Sequence, residues 1–166
     1  MSHPRRVVLG LGANLGDRAA ALQAALSALR ADPDLQILAE SPRYETPPAG
    51  GPPQPDYLNA AVLLATALPA RPILDRALAI ERALGRIRPD PIRWGPRTID
   101  IDLLWIEGEI LAEPDLDVPH PRLRERPFAL RPLLDVAPDA TDPRTGEPYA
   151  GLPAALAPIR RMEGAG

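Results

Sequence analysis

The chain has 166 residues, 45% of them hydrophobic and 25% charged, with a net charge of −3, which is about one globular domain without the basic field that a nucleic-acid backbone attracts. It contains no Cys and no Lys, so all 19 basic residues are Arg. That excludes disulfides, thiolate metal sites, a Walker A phosphate loop and a Schiff-base lysine, while His3 and His120 alone cannot build a multi-histidine metal site.

Proline is abundant, at 23 residues, and beside many Ala and Leu this fits a genomic compositional bias. Residues 1–6 lack the apolar core of a secretory signal, and no apolar run approaches the roughly 20 residues of a membrane span. A soluble cytoplasmic protein is expected, as a single domain over residues 1–166.

Residues 6–11 (RVVLGL) read as a buried strand that breaks into Gly12-Ala13-Asn14-Leu15-Gly16. Asp17 is a good N-cap, and Leu22, Leu26 and Leu29 recur at helical spacing up to the stop at Asp32-Pro33. Residues 35–44 read as one strand and residues 46–55 (TPPAGGPPQP) as a loop. In the next strand, residues 57–66, alternation places Tyr57, Asn59, Ala61 and Leu63 on one face. A second helix carries the apolar stripe Ile73, Ala77, Ile80 and Leu84 and ends at Gly85. An Arg-rich loop leads into a fourth strand over residues 98–106. The order β-α-β-β-α-β predicts an α+β, ferredoxin-like fold, with an antiparallel sheet and both helices on one of its faces. A hairpin is expected at Glu107-Gly108-Glu109, a short helix interrupted at Pro132 over residues 128–136, and a peripheral tail after Pro138. Gly10, Gly12 and Gly16 have the wrong spacing for a dinucleotide fingerprint, and the strands after them run antiparallel, so that reading is rejected.

The chemistry concentrates in Thr98-Ile99-Asp100-Ile101-Asp102-Leu103. Residues two apart in a strand share a face, so the two carboxylates lie about 6.6 Å apart. Shielded from water, such a pair wants a cation, and Mg²⁺ is held by one or two carboxylates plus substrate phosphates. Fully solvated, it is an ordinary polar strand face. The preceding loop holds Arg82, Arg86, Arg88, Arg93 and Arg97 with Asp90 as the opposing charge. Guanidinium forks match phosphate oxygens, so the Arg cluster and the Asp pair together favour phosphate chemistry. Tyr57 and Asn59 on one strand face, with Phe128, either grip a flat ring or pack a core. Trp94 lies in the Arg loop, and His120 stands between Pro119 and Pro121 on a stiffened backbone.

Arg93-Trp94-Gly95-Pro96-Arg97-Thr98-Ile99-Asp100-Ile101-Asp102 resembles the signature of 6-hydroxymethyl-7,8-dihydropterin pyrophosphokinases of folate biosynthesis. The resemblance runs from about Val7 to Pro138 and includes Gly12–Gly16, Tyr44-Glu45-Thr46-Pro47-Pro48, Gln54–Ala61, Glu81, Gly85-Arg86-Ile87-Arg88, Val118-Pro119-His120 and Arg126-Pro127-Phe128. It implies transfer of pyrophosphate from ATP to the pterin hydroxymethyl group, with AMP released. It further implies that Asp100 and Asp102 hold two Mg²⁺ ions and that Arg86 and Arg97 contact the phosphates. Tyr57 and Phe128 would sandwich the pterin, with Asn59, Thr46, Pro47 and Ala49 at its edge and Asp100 and Arg126 also on the substrate side. Glu81, Arg88, Trp94, Arg97, Ile101 and His120 would serve the nucleotide. The partners expected are ATP and a pterin, without nucleic acid or membrane, and the enzyme is expected to be a monomer. The chain departs from the family at Leu78, where a Gln is common, at Pro121, where a Tyr is common, and at Pro89 and Pro91 in the Arg loop.

Overall fold

Alternating side chains in β1 (Arg5–Ala13) supply both faces of the molecule. Val7, Leu9, Leu11 and Ala13 enter one core, while Val8 enters a second core on the opposite face. The structure, a computed structural model, describes residues 3–48, 51–86 and 98–162. Helix α1 (Arg18–Ala31) starts where the Asp17 carboxylate accepts the Ala20 N–H, and it buries Leu22, Ala25, Leu26 and Leu29. Strands β2 (Gln36–Glu40) and β3 (Tyr44–Thr46) follow, then β4 (Tyr57–Thr66) and α2 (Ala70–Ala83). Beyond them lie β5 (Asp100–Ile106), the β6 (Leu111–Glu113) and β7 (Leu116–Val118) pair, α3 (Pro127–Val136), α4 (Pro153–Leu156) and β8 (Arg160–Arg161).

The main sheet has the order β5-β1-β4-β3-β8, with β2 also on β4, and its pairs are antiparallel. This is the expected βαββαβ unit with one correction. The single strand anticipated over residues 35–44 is two strands, β2 and β3. Pro42 has no N–H to give a ladder, and the Ser41 hydroxyl accepts the Ala61 N–H at 2.8 Å across the break. The turn at Glu107-Gly108-Glu109 is present, but β6 pairs with β7 in a small separate sheet and not with β5.

Helices α1 and α2 cover one face of the sheet, where Leu22, Leu26, Ile73 and Ala77 meet the inward residues of β1, β4 and β5. Helix α3 covers the other. It runs through Pro132 without a break and buries that ring with Leu130, Leu133 and Val136. The tail expected to be peripheral belongs to this second core: Ala140, Tyr149, Leu152 and Ala155 pack with Trp105, Leu123 and Leu133. The Trp105 indole N–H donates to the Thr141 carbonyl at 2.9 Å. The tail lacks helical or strand periodicity because isolated apolar side chains, spaced by turns, do the packing.

Tyr149 is fully buried, and its hydroxyl has no hydrogen-bond partner among the described residues. Tyr149→Ala should therefore cost about 3–5 kcal/mol of stability through the cavity it leaves. Tyr149→Phe should be neutral or stabilising, because it removes an unsatisfied polar atom. Urea unfolding of the two variants checks both signs.

Candidate active site

The sheet register builds the site before any loop is considered. Gly12 on β1 pairs with Asp100 on β5 and with Asn59 on β4, and Asn59 pairs onward with Tyr44 on β3. One step along, Gly10 stands between Asp102 and Ala61. Of these residues, Gly10, Gly12, Asn59, Asp100 and Asp102 form the floor of a cleft of about 190 Å³ on the α3 face. Close approach favours glycine here. A Cβ on Gly12 would come within 2.9 Å of Asn59 Oδ1 and 3.4 Å of the Tyr57 ring, and one on Gly10 within 3.0 Å of Leu104.

Thr46, Pro47, Tyr57 and Asn59 form one end of the cleft, and Asp100 and Asp102 the other. Asn59 Nδ2 donates to the Thr46 hydroxyl at 2.5 Å, which fixes the amide with its oxygen toward Gly12. The facing wall comes from the entrance to α3, with Phe128, Arg126 and Arg122. Pro127 starts that helix, and the Arg126 guanidinium lies 5.4 Å from the Phe128 ring centroid. Tyr44 ties the wall to the sheet by donating to Asp135 Oδ2 at 2.5 Å. Burial, then that hydrogen bond, pushes the Tyr44 phenol above its ordinary range.

The loop beyond Thr46 is held from β1. Asn14, itself buried, donates from Nδ2 to Gln54 Oε1 at 2.8 Å and to the Pro55 carbonyl at 2.9 Å. Arg18 adds bonds to the Asp56 carbonyl at 3.0 Å and to Glu45 at 2.8 Å. The Gly12-Ala13-Asn14-Leu15-Gly16 turn, to which the sequence attached no role, is thus a clamp on the cleft's loop.

Beneath the carboxylates lies a charged chain. Arg86 Nη1 donates to Asp100 Oδ1 at 2.7 Å and to Glu81 Oε2 at 3.1 Å. The same Glu81 oxygen accepts the Ile101 N–H at 2.8 Å. Beside the cleft, the His120 N–H donates to the Leu104 carbonyl at 2.9 Å, and His120 Nδ1 accepts the Arg122 N–H at 3.2 Å. Burial, with Arg126 next in weight, pushes the imidazole below its ordinary value, so it is neutral at physiological pH.

Among the described residues no group of three or more His, Cys, Asp or Glu could hold a metal ion. Two carboxylates facing a cleft nevertheless fit a hard cation that takes its remaining oxygens from a phosphate ligand.

Of the residues singled out from sequence, Thr46, Pro47, Tyr57, Asn59, Asp100, Asp102, Arg126 and Phe128 are brought together in the cleft. Glu81 and Arg86 lie buried behind it. The Ile101 side chain packs in the α1–α2 core, and its N–H is engaged by Glu81, so it does not reach the cleft. His120 lies on the wall of a neighbouring depression with Asp117 and Arg124. Ala49, Arg88, Trp94 and Arg97, with the rest of the Arg loop from residue 87, lie outside the described residues. Sequence reasoning missed Arg122 and Gln54 as lining residues. The signal for Arg122 was present in the Arg122-Leu123-Arg124-Glu125-Arg126 run after His120.

Comparison with known proteins gives the family. Residues 8–138 match the family model described as 7,8-dihydro-6-hydroxymethylpterin-pyrophosphokinase. The chain belongs to this family. It is 48% identical over 134 residues to a 2-amino-4-hydroxy-6-hydroxymethyldihydropteridine pyrophosphokinase of Methylorubrum extorquens, covering 81% of this chain and 84% of that one. The protein of the same name from Pseudomonas aeruginosa is 42% identical over 135 residues, covering 81% and 82%. In fold, this pyrophosphokinase is similar to the Plasmodium falciparum HPPK-DHPS crystal structure with pteroate, at a TM-score of 0.68 and 14% identity. The match covers 90% of this chain and spans 42% of the length of that one.

The lowered His120 pKa gives a pH dependence with a definite sign. Between the folded value and about 6.5 the unfolded chain binds the proton more readily, so stability rises with pH across that window and falls on acidification. His120→Asn, which keeps an acceptor for the Arg122 N–H, should flatten the slope of melting temperature against pH between about 5 and 7. An unchanged slope would mean that His120 is as solvated when folded as when unfolded.

Proposed function

We propose that the cleft transfers the pyrophosphoryl group of ATP to the hydroxymethyl group of 6-hydroxymethyl-7,8-dihydropterin, releasing AMP in folate biosynthesis. The observation that carries this reading is the juxtaposition, on one sheet face, of Asp100 and Asp102 with an aromatic and amide pocket. Tyr57 and Phe128 take the two faces of the flat ring. Asn59, oriented by Thr46, and the backbone of Thr46 and Pro47 meet its polar edge. The hydroxymethyl arm then points along the floor toward the carboxylates.

Asp100 and Asp102 hold two Mg²⁺ ions, which when bound offset the charge of the triphosphate and polarise its oxygens. The chain's own residues do the rest by position and charge. Arg122 and Arg126, on the facing wall, steady the phosphates, as do Arg86 and Arg97 from the sequence resemblance. His120, Glu81, Arg88 and Trp94 belong to the nucleotide side, with Ile101 serving only through its backbone. Ala49 extends the pterin edge. The hydroxymethyl oxygen forms a bond to the β-phosphorus while the bond from that phosphorus to the oxygen bridging it to the α-phosphate breaks. AMP carries that oxygen away, and the hydroxyl proton passes to solvent. We take the enzyme to act as a monomer of one domain in the cytoplasm, a reading supported by a cleft whose lining residues and both cores belong to one continuous fold.

Incubation with Mg²⁺, ATP and the pterin should yield AMP; ADP as product would overturn the pyrophosphoryl assignment. Asp100→Asn or Asp102→Asn should lower transfer by several orders of magnitude. The melting temperature of Asp100→Asn should also fall, because a charged acceptor is taken from the buried Arg86, so transfer is compared at a temperature where each variant is folded. Wild-type activity of these variants at low Mg²⁺ would make the pair an ordinary polar face. Gly12→Ala should raise the KM for the pterin about tenfold, with a smaller effect on the KM for ATP, since its methyl group intrudes beside Asn59 and Tyr57. Equal effects on both substrates would place the ring elsewhere.

A further inference from the structure

The contacts of Arg86 do not look like those of a residue waiting for phosphate. Its side chain is 4% exposed and that of Glu81 1%, while the Asp100 side chain, 19% exposed, still reaches the cleft. A guanidinium this deeply buried needs anionic acceptors, and Glu81 and Asp100 are among them. Glu81 cannot follow Arg86 if it moves, because the same Oε2 is bonded to the Ile101 N–H inside β5. Asp100 is different. Its Oδ1, which accepts from Arg86 at 2.7 Å, belongs to the carboxylate assigned above to the metal. A divalent cation and a guanidinium repel one another and compete for that oxygen.

We propose that in the ligand-free enzyme Arg86 is the resident counter-ion of Asp100, competing with the divalent cation for its carboxylate, and that Glu81 is the positioning residue that seats Arg86 there. The proposal rests on the metal assignment of Asp100 and Asp102 made above. Its consequence is coupling. Metal arrival at Asp100 loosens that anionic contact of Arg86, freeing the side chain to turn to an incoming phosphate. Until then the carboxylate is neutralised and the metal binds weakly, because only the fraction of molecules with Asp100 disengaged is competent.

The test is Mn²⁺ binding to the nucleotide-free protein, read from the electron paramagnetic resonance signal of free Mn²⁺, with thermal melting of every variant. Arg86→Gln should bind Mn²⁺ about five- to tenfold more tightly than wild type, as the competing cation is gone. Arg86→Lys, which restores a cation, should return to within about twofold of wild type, and Arg122→Gln, which removes an arginine of the cleft wall, should change Mn²⁺ binding less than about twofold. Glu81→Gln keeps an acceptor for the Ile101 N–H but leaves Arg86 dependent on Asp100, so its Mn²⁺ affinity should fall about two- to threefold. In the unaltered enzyme, the NMR signal of the Arg86 guanidinium should be protected from exchange without metal and lose protection as Mg²⁺ is added, a readout that survives if Arg86→Gln does not fold. Arg86→Gln binding no tighter than wild type, an equal gain in Arg122→Gln, no loss in Glu81→Gln, or guanidinium protection indifferent to Mg²⁺ would each overturn the proposal. Asp100→Asn and Asp102→Asn binding Mn²⁺ as wild type does would instead overturn the metal assignment itself.

Discussion

A side chain on β1 at position 10 or 12 would occupy the space in which the enzyme works, so the site depends first on the register of that strand. Gly10 and Gly12 stand between the carboxylates of β5 and the Asn59 strand. A slip by one residue would turn Leu9 and Leu11 into the cleft and carry the glycines into the core. What prevents it is the other face. Val7, Leu9, Leu11 and Ala13 are all essentially buried, and losing the burial of each large side chain costs about 1.5–3 kcal/mol. The packing of α1 and α2 therefore fixes the geometry of a site that neither helix lines.

The second core does the same for the facing wall. Phe128 and Arg126 are useful only if the start of α3 is held at a fixed height above the sheet. Leu130, Leu133 and Val136 anchor the helix through Val8, Ala61 and Leu63, and Tyr44 anchors it through Asp135. The C-terminal segment closes the far side, with Tyr149 and Leu152 packed where α3 meets Trp105. Arg6 completes that end, its guanidinium 5.5 Å from the Trp105 ring centroid while bonded to Glu107 and Asp139. Stability in this region is thus a condition of substrate stacking, although the residues concerned never meet substrate.

Elements with one strong period were legible in the sequence. β1 was legible as a short apolar run buried on both faces, β4 and β5 from residues two apart, and α1 and α2 from Leu or Ile and Ala recurring on the one side that packs against the sheet. β2 and β3 were not separable, since only the missing N–H of Pro42 and the Ser41 substitute divide them. The tail was misjudged because its buried residues are scattered among turns, and a pattern too irregular to give a period can still fill a core. At the site, Asp100 and Asp102 were legible from spacing two apart, and Tyr57 and Asn59 by the same rule. Phe128 carried no such signal, and its place opposite them is a tertiary fact. Asn14 and Glu81 act through backbone groups of Pro55 and Ile101, contacts that no residue pattern announces.

Charge distribution gives the cleft its direction. On the outer surface the arginines are largely spent on carboxylates: Arg71 on Glu113 and Asp115, Arg76 on Asp32 and Asp34, Arg5 on Glu109 and Arg30 on Glu40. Such exposed pairs contribute little to stability, but they quench the positive charge of those surfaces. Arg122 and Arg126 line the cleft and have no carboxylate partner among the described residues. The rigid sheet keeps Asp100 and Asp102 on the floor while the turn leading into α3 keeps these guanidiniums on the wall, so the opposite charges face one another without collapsing together. An anion entering with its cations finds both halves of its counter-charge already held apart at the two sides of one cleft. A lysine would not serve the wall equally: its single ammonium on a flexible stem lacks the planar fork that meets two phosphate oxygens at once. The absence of Lys from the whole chain is therefore compatible with phosphate chemistry: the fold keeps Arg122 and Arg126 open to an anion on the wall, while it holds Arg86 against Glu81 and Asp100.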